Sequence, residues 1–121
     1  MGSIQKSSPS RPRTYGKHRK FEHWYRDNQV YFITARCKER YPAFKTDQAK
    51  TVFFDRFTHY TQTYQFEPWA TCLLDNHYHT LGYLPIGKNL GPMMQRIHGS
   101  VAKLVNDLLE PDRLKPFWRD S

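Results

Sequence analysis

Glu67-Pro68-Trp69-Ala70-Thr71-Cys72-Leu73-Leu74-Asp75-Asn76-His77-Tyr78-His79-Thr80-Leu81-Gly82-Tyr83-Leu84 is the stretch on which the fold of this chain turns. Two apolar and aromatic runs flank Asp75-Asn76, whose short polar side chains favour a tight turn. The stretch reads as a β-hairpin, with strands over 67–74 and 77–84. His77 and His79 open the return strand. Side chains two apart on a strand share a face, so the imidazoles lie side by side, where one divalent cation can take a nitrogen from each. Such a pair also occurs in strands without metal, and the surrounding residues must decide between the two.

Upstream, Gln29-Val30-Tyr31-Phe32-Ile33-Thr34-Ala35-Arg36 reads as another strand, entered from the turn-prone Asp27-Asn28. A loop through Tyr41-Pro42 leads to Thr46 or Asp47, either a suitable helix N-cap. Ala49, Val52, Phe53, Phe57, Tyr60 and Tyr64 then recur at helical spacing and predict a helix with an aromatic core face. Downstream, Gly91 before Pro92 fits a helix start with proline in the first helical position. Leu90, Met93, Met94, Ile97, Val101, Leu104, Val105 and Leu108 mark its buried stripe, and Gly99 within it permits close packing. Glu110-Pro111-Asp112 ends that helix, and Lys115-Pro116-Phe117-Trp118-Arg119 begins one more strand. The order predicts an α+β, ferredoxin-like β-α-β-β-α-β fold. Its sheet is antiparallel, with the helices packed on it and the last strand incomplete.

At 121 residues the chain holds one domain. Residues 1–23 carry Gly, Ser, Pro and basic side chains without apolar periodicity and read as a disordered basic arm, leaving 24–121 as the folded domain. The formal net charge is +8, and Lys6, Arg11, Arg13, Lys17, Arg19 and Lys20 of the arm face only Glu22. So basic a chain attracts polyanions, and its eight Tyr, eight Phe and three Trp suit stacking on bases. Nucleic acid leads over a merely solubilising tail. No apolar run approaches a membrane span and no secretory signal opens the chain. Cys37 and Cys72 read as reduced thiols, which places the protein in the cytoplasm.

With these residues in hand the chain resembles the IS200-like (Y1) transposases, and among them the REP-associated tyrosine transposases. The resemblance rests on Tyr31-Phe32-Ile33-Thr34-Ala35-Arg36, Leu74-Asp75-Asn76-His77-Tyr78-His79, Asn89-Leu90, Met93-Met94-Gln95-Arg96-Ile97-His98-Gly99, Asn106 and Phe117-Trp118, which fall in order across most of the chain. It implies that His77 and His79 bind a catalytic Mg²⁺ or Mn²⁺. It implies single-stranded or hairpin DNA as the substrate, cleaved by a tyrosine that leaves a 5′-phosphotyrosine and a free 3′-hydroxyl, and a homodimer as the assembly. In the family the nucleophile sits on a helix after the last strand. This sequence reaches Ser121 before that helix would begin, so the expectation is a domain without the family tyrosine. The alternative function is a hairpin-DNA-binding remnant with no catalysis.

Among the other tyrosines, Tyr60 and Tyr64 read as core or rim residues. Tyr78 points away from the histidine face, and Tyr83 shares that face ~13 Å from His79 at ~3.3 Å per residue. Arg36, Lys88, Arg96 and Lys103, with Arg11, Arg13, Lys17, Arg19 and Lys20 of the arm, are candidates for phosphate contact; each can equally be a solvated charge. Asn76 orients a histidine, contacts DNA or serves the turn. His98 reads as an exposed or hydrogen-bonded helix residue rather than a ligand. Asp75, a turn former, is the one acidic group near enough to assist a rival chemistry in which metal-activated water cleaves the phosphodiester.

Overall fold

Four strands form one antiparallel sheet in the computed structural model, which describes residues 3–6 by their backbone and residues 26–119. They are β1 (Ser3–Lys6), β2 (Gln29–Arg36), β3 (Glu67–Leu73) and β4 (His77–Leu84), in the spatial order β1-β2-β4-β3. Helices α1 (Asp47–Thr63) and α2 (Leu90–Leu109) cover one face. Alternation sorts the strands: Tyr31, Ile33 and Ala35 of β2 and Tyr78, Thr80 and Leu84 of β4 are buried, whereas Phe32 and Arg36 are exposed. The Tyr78 ring meets Phe53 of α1 at 4.8 Å and His98 of α2 at 5.8 Å, so both helices lie on its side of the sheet.

Thr46 caps α1, its hydroxyl accepting from the Ala49 amide at 3.1 Å. The helix ends in a Schellman motif: the Phe66 amide donates to Thr61 O and the Gln65 amide to Gln62 O, with Gln65 at φ 65°. Phe66 then turns inward, and Gly82 of β4 makes room for it. A Cβ on Gly82 would stand 2.5 Å from both the Phe66 ring and the Glu67 carbonyl oxygen.

Five sequence expectations change. Residues 3–6, read as part of a structureless arm, pair with β2 from Ser3↔Thr34 to Lys6↔Tyr31, their backbone satisfying an edge that would otherwise stay open. The closing segment is a single bridge, Cys37↔Trp118, flanked by the Lys38 amide on Phe117 O and the Arg119 amide on Arg36 O. It and β1 thus share the edge that a full last strand would occupy. On α2 the buried stripe runs through Ile97, His98, Val101, Val105 and Asn106, leaving Leu104 and Leu108 exposed. Asn106 is inside because its amide group pairs both ways with the backbone of Leu114, 3.0 and 2.7 Å. The helix also starts at Leu90, after a 3₁₀ turn at Gly87–Asn89, and Gly99 borders open space, with nothing within 4 Å of a Cβ there.

Candidate metal centre on the open sheet face

His77 and His79 lie on the face of the sheet opposite the two helices, which none of the described elements covers. In the β2–β4 register Arg36 stands opposite His77, Thr34 opposite His79 and Phe32 opposite Leu81. The two imidazole centroids are 4.8 Å apart, with the rings at 81°. The turn before them is held on three sides. Leu74 and His77 close it at 2.8 Å, the Cys37 amide donates to Asn76 O at 2.9 Å, and the Phe44 amide donates to Asp75 O at 2.8 Å. The histidines therefore project from a pinned backbone.

Asn76 fixes the tautomer of His77. Its side-chain nitrogen donates to the Arg40 carbonyl, which can only accept, at 3.3 Å. The atom facing His77 is consequently Oδ1, 2.7 Å from Nδ1. An acceptor there requires a proton on Nδ1, so Nε2 keeps its lone pair for a ligand. Nδ1 of His79 lies 3.0 Å from the Thr34 hydroxyl, a group that can donate or accept, and its ring stacks on Phe32 at 5.7 Å and 14°. Partial burial, then the neighbouring His79 and Arg36, lower the pKa of His77, which favours the neutral, ligating form.

Two adjacent imidazoles, with Nε2 of His77 free to ligate, fit a divalent ion that keeps open positions for oxygen ligands; a closed structural site would need a fuller set. Among the described residues no group of three or more His, Cys, Asp or Glu is placed to hold a metal. Asp75 does not extend the pair, since its carboxylate is ion-paired with Lys50 of α1 at 3.1 Å. Cys72 is the cross-strand neighbour of His79 and is exposed, whereas Cys37 is buried and its thiol pKa is pushed up to about 12 by desolvation.

The structure separates the basic residues that the sequence grouped. Arg36 is exposed beside the imidazoles. Lys88 lies beyond the far end of β4, in the 3₁₀ turn before α2. Arg96 and Lys103 are exposed on α2, in the helix layer. Arg11, Arg13, Lys17, Arg19 and Lys20 lie outside the described residues. Tyr78 points away from the histidine face and is fully buried, and Tyr83 donates its hydroxyl to Asn28 Oδ1 at 2.6 Å. His98 is hydrogen-bonded and buried in apolar surroundings that drive its pKa down to about 3. Thr34, Phe32 and Trp69 escaped the sequence reading. The first two follow from the β2–β4 register, which pattern alone does not specify. Trp69 is the extra residue of a β-bulge between Pro68 and Ala70.

No curated protein matches the chain in sequence. Among solved structures, the REP-associated tyrosine transposase bound to a REP hairpin is similar in fold, with a TM-score of 0.65 at 18% identity. The match covers 88% of this chain and 59% of that one, so this chain spans somewhat over half the length of that protein. The family model described as "Transposase IS200 like" matches residues 25–121. That stretch holds the hairpin, both histidines and both helices, and the chain belongs to the IS200-like transposase family.

Proposed function

We propose that this chain is a DNA-binding transposase domain that holds a phosphodiester of single-stranded or hairpin DNA against His77 and His79 for metal-dependent strand cleavage and transfer. The observation that carries this reading is the tautomer imposed by Asn76, which aims a ligand lone pair outward on the open sheet face. Membership of a transposase family supports DNA as partner, and hairpin DNA is what the similar-fold REP-associated transposase binds. His77, through Nε2, and His79 would hold a Mg²⁺ or Mn²⁺ ion; such an ion would polarise the phosphate and stabilise charge on the leaving oxygen. Asn76 and Thr34 keep the rings from rotating. Arg36 meets a non-bridging phosphate oxygen with a charge-assisted hydrogen bond. Strand cleavage of the family type forms a bond between a tyrosine oxygen and phosphorus while the 3′ oxygen departs as a hydroxyl. The assembly in this proposal is a homodimer, which sedimentation reports as twice 14.5 kDa.

The placement of two described tyrosine hydroxyls, Tyr78 on His98 and Tyr83 on Asn28, favours a second reading, in which the chain recognises hairpin DNA and does not itself attack it. Incubation with a labelled hairpin library and Mn²⁺, read on a denaturing gel, separates the two. A protein–DNA band that survives denaturation and is lost in His77→Ala establishes the transposase reaction. Tight binding without cleavage establishes the second reading. Cleavage without a covalent band would instead point to metal-activated water, for which the Lys50-paired Asp75 is a poor base. Loss of hairpin binding in His77→Ala would make that histidine structural.

A further inference from the structure

Beyond the imidazole pair, the open face continues as a row of rings. The bulge at Trp69 sets this side chain on the same face as Tyr83, against which it stacks at 6.5 Å with the planes only 3° apart. Phe32 stacks on His79 in the same sense, and Leu81 lies between the two stacks on β4. Trp69 is 55% exposed and Phe32 38%. A bulge is a means of re-aiming a side chain, and here it delivers a large indole to water on an edge strand, where burial gives no reason for it. Contiguous exposed apolar surface of this kind marks a binding surface.

We propose that Trp69, Tyr83 and Phe32 form a base-stacking platform for unpaired nucleotides next to the phosphate held at His77 and His79. This rests on the function proposed above and assigns to three side chains the grip on the unpaired part of that DNA. Charge selects this occupant over an apolar protein partner. The chain carries +8, and the guanidinium of Arg36 and the ligand-ready imidazoles stand at one end of the row, with Glu67 at the other beside Tyr83. A backbone phosphate belongs at the Arg36 end and neutral base faces over the rings. His79 and Tyr83 are four residues apart on β4, ~13 Å at ~3.3 Å per residue, which spans roughly four nucleotides at the ~3.4 Å rise of one strand. Stacking is tolerant of sequence because every base has a π-face. The platform therefore supplies grip without sequence readout, and paired bases, whose faces are already covered by their neighbours, gain nothing from it.

The test compares a blunt hairpin with the same hairpin carrying a short unpaired flank on either side, by fluorescence anisotropy with the full chain in EDTA. Trp69→Ala should weaken binding of the flanked form by roughly 5- to 150-fold, the range for loss of one stacked base, and leave the blunt form unchanged. Trp69→Phe should recover most of that loss. Equal affinity of wild type and Trp69→Ala for the flanked form would overturn the platform and leave the metal-site reading standing. Equal weakening on both forms would also overturn it, because the tryptophan would then be supporting the fold. Binding of neither oligonucleotide by the wild type would remove the DNA reading and the platform together.

Discussion

The hydroxyl of Tyr78 lies 2.7 Å from Nε2 of His98, on the buried side of the strand whose open side carries His77 and His79. The residue between the two candidate ligands is thus the one that ties their strand to α2. Trp118 completes the tie by donating its indole N–H to the His98 carbonyl at 2.9 Å while its ring lies 4.5 Å from the imidazole. Tyr78→Phe would leave a buried imidazole nitrogen without its partner, a cost of about 1–3 kcal/mol. Urea unfolding should show the unfolding free energy falling by that amount, read as a lower midpoint at unchanged slope. DNA affinity of the folded protein should stay the same.

Acid stability should report the same histidine. Burial holds the His98 pKa at about 3 against 6.5 for a free imidazole. Above pH 6.5 the residue is neutral in both states and its contribution is fully present. Between about 6.5 and 3 the unfolded chain takes up a proton that the native state refuses, so stability falls as pH falls, by at most ~1.4 kcal/mol per pH unit. His77, also lowered, acts in the same direction. Unfolding free energies measured from pH 7 to pH 4 should show a shallower decline in His98→Gln than in the wild type; parallel curves would mean that His98 is not buried as a neutral group.

How much of this was legible beforehand follows from the range of each interaction. The β2 and hairpin strands, the aromatic face of α1 and the shared side of His77 and His79 are local periodicities, and pattern alone carries them. The partners of the imidazoles are not local in the same way. Asn76 is adjacent to His77 but its role depends on the Arg40 carbonyl, 36 residues away, and Thr34 reaches His79 only through the β2–β4 register. Trp69 was unreadable because a bulge changes which face a side chain takes without changing the composition of the strand. Leu104 and Leu108 misled because their spacing fits a buried stripe, whereas the closing segment fixed by Asn106 lies on another side of α2.

Gly82 is where β4 depends on having no side chain. A methyl group would meet the Glu67 carbonyl oxygen, part of the backbone, and the ring of Phe66, which is buried and cannot swing aside. Gly82→Ala should destabilise the fold by about 1–3 kcal/mol, the usual cost of overpacking, and loosen β3 from β4. Gly99→Ala is the control: with nothing near its Cβ, the gain in helix propensity should stabilise by up to about 1 kcal/mol. Thermal unfolding of the two variants in one buffer should move in opposite directions.

Asn76→Ala removes the acceptor that fixes the His77 tautomer, and Thr34→Val removes the hydroxyl on His79. If the imidazoles take a metal, such partners are worth about 10- to 100-fold in its affinity. Titration of Mn²⁺, followed by electron paramagnetic resonance, should show that loss in each variant while circular dichroism stays unchanged. Unaltered affinity in both would place the metal elsewhere.

The basic residues divide by face, and salt dependence can read the division. Each phosphate contact contributes about 0.7–0.9 to the slope of log affinity against log salt, the smaller value for single strands. Arg36→Gln, on the imidazole side, should flatten the slope by about one such contact. Arg96→Gln and Lys103→Gln, on the helix layer, should leave it unchanged if DNA crosses the open face. The arm is tested by replacing Arg11, Arg13, Lys17, Arg19 and Lys20 with Gln rather than by deleting residues 1–23, because deletion also removes β1 from the edge of β2. The five-fold replacement should weaken binding and flatten the slope in proportion to the phosphates that the arm neutralises. An unchanged slope would show that the arm's charge does not touch DNA, and would leave Arg36 to provide the phosphate contact on the open face.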